Sequence, residues 1–254
     1  MARTHPPSLI TLVRAALRED QLVPRATCVL VAISGGPDSM ALLHVLARLR
    51  AGGGFGLFAH GVDHGLRAEA AAELDGAGAF CRSLDVPFTR GSVKVEPGGN
   101  LQARARDARW SSLRAAASRV GAARIATGHH ADDRAETLLM RLLRGTGTWG
   151  LGVLPPLDGD RVRPLIRARR ADIDGHIARH RIPIAHDPSN EDPRFLRTRV
   201  RRELMPELLR LSPRIVEHLC ALADDAAAER TVPRGERIDP RSRASSGTLA
   251  RRRR

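Results

Sequence analysis

The chain has 254 residues, is 42% apolar and carries a formal net charge of +14. That length can bury a full α/β core, and the apolar share excludes wholesale disorder. No run approaches eighteen apolar residues and residues 1–7 lack the apolar centre of a signal peptide, so the expectation is a cytoplasmic protein with no membrane partner. The charge calls for a polyanion, nucleic acid first. Lys94 is the only lysine; preference for arginine, with abundant alanine and glycine, is what GC-rich codon usage produces. Codon usage does not account for the surplus of cations over anions. Residues 226–254 hold nine Arg against Glu229, Glu236 and Asp239, a net +6 that leaves +8 on the rest. Cys28, Cys81 and Cys220 are dispersed, form no C-x-x-C pair and give no metal or redox signal.

Residues 8–20 place Leu9, Leu12, Val13 and Leu17 at helical spacing. Residues 28–33 are a continuous apolar run rich in β-branched side chains, the pattern of a strand buried on both faces. Residues 39–50 return to helical periodicity, and Gly52 to Gly54 stop it. The alternation repeats: strand 55–62, helix 69–84, a short strand within 86–95, helix 100–120, strand 124–127, helix 132–144. Strands alternating with helices predict a doubly wound parallel sheet, an α/β fold with a small helical C-terminal segment. Residues 145–160 read as a Gly/Pro-rich loop, 162–166 as a further strand, 171–181 as a helix, 183–193 as a polar loop and 194–228 as mostly helical. Residues from 231 onward are poor in apolar side chains and read as a basic, disordered tail. The organisation is then an N-terminal helix over 1–24, a nucleotide domain over 25–210, a helical extension over 211–230 and the tail over 231–254.

Ligands of such sheets bind at the carboxyl ends of the strands. Two motif-bearing turns lie there. Ser34-Gly35-Gly36-Pro37-Asp38-Ser39 joins a strand to a helix; its glycines let the backbone approach phosphate, and the helix start offers free N–H groups and its positive dipole end. It lacks the G-K-[ST] of a Walker A loop. Asp38 sits awkwardly beside phosphate unless a cation lies between them, which predicts Mg²⁺. A plain Gly-rich turn gives the same pattern. The second turn is Gly128-His129-His130-Ala131-Asp132-Asp133, with Asp133 and Glu136 on one helix face. Paired carboxylates there suit a metal ligand and a base; helix capping by Asp132 or Asp133 is the alternative. His60, Asp63 and His64 suit hydrogen bonding better than metal binding. Arg104, Arg106 and Arg109 on one helix, and Arg197, Arg199, Arg201 and Arg202 in a basic stretch after Phe195, read either as solvated faces or as grips on substrate and RNA.

Together these segments resemble the bacterial tRNA(Ile)-lysidine synthetase family, N-type ATP pyrophosphatases of the PP-loop superfamily. The resemblance covers roughly residues 25–210 and rests on S-G-G-P-D-S at Ser34, V-D-H-G-L-R at Val62, N-L-Q-A-R-A-R-D-A-R-W at Asn100 and G-H-H-A-D-D-R-A-E-T at Gly128. L-L-R-G-T-G at Leu142, R-P-L-I at Arg163 and D-P-S-N-E-D-P-R-F-L-R-T-R-V-R at Asp187 complete it. It implies an adenine nucleotide alpha hydrolase-like sheet and a ligase. Proteins similar to this adenylate C2 of the wobble cytidine in the CAU-anticodon tRNA(Ile) with ATP, release pyrophosphate, and let free L-lysine displace AMP to give lysidine. The resemblance makes Ser34, Gly35, Gly36, Pro37, Asp38 and Ser39 the ATP loop and Asp38 and Asp133 the Mg²⁺ ligands. His129 falls at the phosphates or reacting centre and Glu136 at the lysine. Arg106 or Arg109, and Arg199 or Arg201, become the charge-positioning residues. A homodimer is compatible with it. Arg134 stands where the family usually has Gln, Thr198 where it has Asn, and Gly61 reads as an extra residue in its turn. Longer members carry C-terminal domains that help bind tRNA; here a short helical segment and an Arg-rich tail take that place. The rivals are another PP-loop tRNA-modifying enzyme such as a thiolase, which needs cysteines, and a non-catalytic RNA-binding protein on the same scaffold.

Overall fold

A computed structural model describes residues 7–63, 69–93, 101–185 and 194–231. The elements follow the predicted alternation: α1 (Leu9–Glu19), β1 (Cys28–Ile33), α2 (Pro37–Gly53), β2 (Gly56–Asp63), α3 (Glu69–Ser83), β3 (Phe88–Ser92), α4 (Leu101–Arg119), β4 (Ala122–Ala126) and α5 (Ala131–Leu143). Next come a 3₁₀ turn (Thr148–Gly150), β5 (Leu157–Asp158), β6 (Arg161–Val162) and α6 (Arg170–His180). After residues outside the described set the chain resumes with α7 (Leu196–Arg199), a π-helical turn (Val200–Leu204), α8 (Met205–Leu211) and α9 (Ile215–Thr231).

The six strands lie in the order β3-β2-β1-β4-β6-β5. All neighbours are parallel except β5 and β6, a short antiparallel hairpin. That hairpin differs from the single strand expected over 162–166: only Arg161 and Val162 pair, and Arg163 N–H then turns to Pro156 O. β1 is central and apolar on both faces. Val29, Val31 and Ile33 join one core with α1, α2 and α6, while Leu30 and Ala32 join the other with Leu113, Ala116 and Ile125. Opposite faces of one strand thus feed two layers, the geometry of a doubly wound sheet. α1 belongs to the first of these cores through Leu9, Val13 and Ala16, and starts where Ser8 Oγ accepts from Thr11 N–H.

A third cluster joins α5 to the C-terminal helices: Ala135, Leu138 and Leu139 meet Val153, Val200, Met205, Val216, Leu219 and Ala223. This cluster brings the basic 194–204 stretch back over α5. Gly61 is taken into β2 without a bulge, opposite Ile33 and Arg90; a Cβ there would lie 2.5 Å from a Leu74 methyl. No helix of the described residues is long and apolar enough to cross a membrane. Of the sequence expectations, His64, Arg67, the segment from Asp187 to Pro193 and the tail from 232 lie outside the described residues.

Candidate active site

β1 has β2 on one side and β4 on the other, so the connections from its carboxyl end and from that of β4 part to different sides. Such a switch point leaves a crevice. The Ser34–Ser39 loop leaves β1 there and the Gly128–Asp133 turn leaves β4 beside it. The two touch. A Cβ on Gly128 would lie 2.9 Å from the carbonyl carbon of Asp38 and 3.1 Å from its Cβ, closer than real side chains approach backbone. Gly128 is therefore the residue that lets the turns close on each other.

The loop is internally braced. Ser34 N–H donates to Ser39 Oγ at 3.2 Å, and Ser39 Oγ donates to Gly36 O at 3.0 Å. Gly35 holds φ +81°, a left-handed conformation that favours glycine, and its carbonyl accepts from Ala185 N–H at 2.9 Å. Gly36 is the N-cap of α2 and Pro37 its first residue, where a missing N–H costs nothing. The helix start thus points at the crevice with no side-chain cap bond of its own.

The capping reading of the acidic turn holds for both acids. Asp133 Oδ2 accepts from His130 N–H at 3.1 Å, capping its own helix, and Asp132 Oδ2 accepts from Arg170 N–H at 2.8 Å, capping α6. Yet both acids also meet side-chain charge. His130, whose ring is buried, places Nε2 3.8 Å from Asp38 Oδ1 and 3.5 Å from Asp133 Oδ2, and Nδ1 3.4 Å from Asp132 Oδ2. Burial works against its charged form, but three carboxylates outweigh it and raise its pKa above the ordinary histidine value. Burial pushes the Asp38 carboxyl up, against the pull of His130 and Arg170. Asp133 is also penalised by burial, yet His130, Arg197 and His129 hold it below the usual carboxylate range. Asp132 follows the same balance, held low by His130, Arg169 and Arg170 N–H.

Arginines complete the shell. Arg170 Nη1 donates to Asp38 Oδ1, and Arg169 binds Asp132 and also Glu217 of α9. Arg197 donates to Asp133 Oδ1 at 2.7 Å and to Glu136 Oε2 at 2.9 Å. Arg201 donates to Glu136 from Nε at 2.7 Å and from Nη2 at 3.0 Å. Arg197 and Arg201 are four residues apart across the start of the π-helical turn, so both face the Asp133–Glu136 side of α5. Arg199 points elsewhere: it pairs with Glu203 at 3.3 Å on an exposed face. Of that predicted pair, Arg201 joins the site and Arg199 does not.

His129 faces a neighbouring cavity of about 360 Å³ together with Arg106, Thr137, Arg141, Arg163 and Arg197. Its Nδ1 lies 2.9 Å from Thr127 Oγ1. Burial first, then the surrounding arginines, bring its pKa down to about 4 against the pull of Asp133, so the ring is neutral at pH 7. Arg109 on α4 is near enough to contribute to that shift, and burial lowers its own pKa. A larger depression of about 650 Å³, lined by Asp20, Pro24 and Arg124, lies at the amino-terminal ends of β1 and β4 and holds none of the motif residues. His60 spans Thr89 Oγ1 and Ser112 Oγ at 2.8 and 3.1 Å, a hydrogen-bonding role inside the sheet.

Sequence reasoning did not single out His130 as the hub of three carboxylates, nor Arg169 and Arg170. His130 stood inside the motif, and the two acids two and three residues after it, Asp132 and Asp133, were a usable signal. The two arginines carried none, being two among many in an arginine-rich chain. Arg134, the departure from the usual Gln, is buried; its Nε donates to Val153 O at 3.0 Å and its Nη1 lies 2.8 Å from Asp224 of α9. It ties α5 to both the cavity wall and the C-terminal helix. Thr198, the other departure, is buried in α7.

A family model described as the PP-loop domain matches residues 11–208. The tRNA(Ile)-lysidine synthase of Pseudomonas aeruginosa is 43% identical over 211 residues, 78% of this chain and 47% of that protein. The protein of that name from Rhodopseudomonas palustris is 45% identical over 190 residues, covering 72% and 55% of the two chains. The one from Thermobifida fusca is 39% identical over 236 residues, covering 88% and 71%. The chain thus spans about half the length of several curated relatives it matches. Among solved structures, a U34-tRNA thiolase from Methanococcus maripaludis with a [4Fe-4S] cluster superposes with a TM-score of 0.74 at 16% identity, over 89% of this chain and 78% of that one. That likeness speaks to the fold alone.

Proposed function

The chain belongs to the tRNA(Ile)-lysidine synthase family of PP-loop proteins, and on that premise we propose that it joins free lysine to C2 of the wobble cytidine of the CAU-anticodon tRNA(Ile). ATP would first adenylate the cytidine oxygen, releasing pyrophosphate; the lysine ε-amine would then attack C2 and expel AMP. The observation that carries this reading is the closure of the two motif turns on each other. Gly128 against Asp38 puts a phosphate-type loop and two carboxylates around one crevice, beside the cavity that the neutral His129 faces.

The roles follow from chemistry. C2 of cytosine is a poor electrophile with a poor leaving group, so phosphoryl activation must precede amine attack. Backbone N–H groups at the start of α2, with Ser34 and Ser39, receive the phosphates. Asp38 and Asp133 approach one point, the Nε2 of His130, from two elements, Asp38 partly exposed and Asp133 buried. Two protein carboxylates with the balance from phosphate and water is the habit of Mg²⁺, and these residues fit it. Mg²⁺ bound there would offset the charge of the departing pyrophosphate. Arg170 and Arg197 now occupy those carboxylates and would be free to turn to phosphate oxygens. With its pKa near 4, His129 is a poor base for an ammonium but a good neutral hydrogen-bonding group at the reacting centre. Glu136 would receive the lysine ammonium by exchanging it for one of its two guanidinium partners. Arg106 and Arg109 would position the substrate from α4.

We also assign residues 25–210 to the nucleotide domain, with 1–24, 211–230 and 231–254 as helix, helical extension and basic tail. The tail would add salt-sensitive, non-specific RNA affinity. The dispersed thiols support lysine transfer over thiolation: Cys28 begins β1, Cys81 is buried in α3 and Cys220 lies in α9, and burial raises the latter two to about 11. The test is incorporation of labelled lysine into the CAU-anticodon tRNA with and without ATP. ATP-dependent label is expected; its absence from correctly folded protein would reject lysidine formation and leave the fold and family standing.

A further inference from the structure

The turn Thr148–Gly150 presents Trp149 at 50% exposure. Its neighbours Gly150 and Gly152 line the 360 Å³ cavity that His129 faces, so the turn that carries the indole forms part of the cavity wall. The turn is firmly seated. A Cβ on Gly152 would come within 3.0 Å of the Ala227 backbone, which places the loop directly on α9. Arg134 holds the same loop through Val153 O.

The chemistry of the cavity beside this turn is cationic. Among the described lining residues, Arg106, Arg141, Arg163 and Arg197 stand against the one acid Asp158, which itself lies 3.7 Å from Arg163. Arg141 and Arg144 are both exposed at the end of α5, just before the turn. An apolar protein partner would favour a rim depleted of charge. An exposed aromatic ring on the wall of a guanidinium-lined cavity is instead what unpaired nucleotides use: bases stack on the ring and phosphates meet the cations.

We propose that Trp149 is a stacking platform for an unpaired RNA base flanking the nucleotide that enters the cavity. This rests on the RNA-modifying reading above and adds the residue that holds the looped-out strand. The platform is pre-formed by its seat on α9, so binding need not order it first.

The test uses the full chain carrying W110F, so that Trp149 is the sole tryptophan. A hairpin RNA with a CAU loop is compared with a fully paired duplex of similar length. The hairpin should quench Trp149 fluorescence and the duplex should not. W149A and W149L should each weaken hairpin affinity about 10- to 100-fold, while W149F stays within a few-fold and ATP affinity is unchanged. Tight hairpin binding by W149A, or full retention by W149L, would overturn stacking; the second result would mark an apolar contact surface. Since the ring is half exposed, thermal melts should show all three variants folded. Trp149-dependent hairpin binding without lysine incorporation would sink the lysidine reading alone. Lysine incorporation by W149A with an unchanged KM for tRNA would sink the Trp149 assignment alone.

Discussion

Exchanging Glu136 for Gln tests the link between the basic stretch and the acidic helix. The Glu136 side chain is 3% exposed and accepts three hydrogen bonds, one from Arg197 and two from Arg201. Gln keeps the shape, removes the charge and turns one acceptor into a donor facing a guanidinium. Breaking a fully buried ion pair by removing one partner costs ~3–5 kcal/mol. Here both arginine side chains are 40% exposed, so water recovers part of that. The expected loss for E136Q is therefore ~1.5–3 kcal/mol after discounting for screening. R201Q should cost less, because Arg197 still serves Glu136, and the double variant should cost at least ~1 kcal/mol less than the two singles together. Urea unfolding followed by circular dichroism reads this as a shift in midpoint at unchanged slope. In the enzyme assay, E136Q should raise the KM for lysine more than that for ATP. A loss within about 0.5 kcal/mol, or strictly additive singles, would show that the ion pairs do not hold these elements together.

Other expectations bear on the same crevice. D133N should abolish ATP- and Mg²⁺-dependent adenylate formation, measured as pyrophosphate release; a near-normal rate would remove Asp133 from metal binding. G128A should force Asp38 aside and lower activity about 100-fold, an effect typical of a misplaced reacting group, with the melting temperature nearly kept. Removing Mg²⁺ with a chelator should stop adenylation and re-addition should restore it; activity that persists would leave the Asp38–Asp133 pair without its ion. Stability should fall as the pH drops from about 6.5 toward 4. His129 and His176 both have folded pKa values near 4, chiefly through burial, so in that window the unfolded chain binds more protons than the folded one. The slope should flatten in H176Q, which removes one of those groups from the His44–His176–His180 cluster. A urea midpoint that stays level or rises on acidification would contradict the sign.

The sheet was legible because burial on two faces leaves a plain mark: Val29 to Ile33 could not be amphipathic and be central. Helix starts were read slightly late, since Pro37 and Ala131 belong to the first turn although the periodic residues begin after them. Residues 162–166 were overread as a strand because Val162, Leu165 and Ile166 are all buried; the hydrogen bonds of a turn bury them as well. The site divides in the same way. Local chemistry exposed the loop and the acidic turn, since each packs its groups into six residues. Which arginine meets which acid depended on the helical phase of the 194–204 stretch, and the π-helical turn lies within it. That phase sends Arg197 and Arg201 inward and Arg199 outward, and spacing alone gave no reason to prefer one.

The arginine surplus also changes meaning once it is placed. Arg134, Arg169, Arg170, Arg197 and Arg201 answer Asp224, Asp132, Asp38, Asp133 and Glu136, so much of the positive charge near the crevice neutralises the protein's own acids. Those cations hold the crevice carboxylates in place; on the proposed reading, RNA attraction falls to others. Arg106 and Arg141 make no ion pair among the described residues and both line the cavity beside His129. The salt dependence of RNA binding should therefore follow Arg106, Arg141 and the basic tail, one unit of slope being lost for each phosphate contact removed. R141A should lower that slope by about one and leave ATP affinity alone, whereas R170A should spare the slope and weaken ATP. If both variants changed the slope equally, the division of the arginines into internal counter-ions and phosphate contacts would fail.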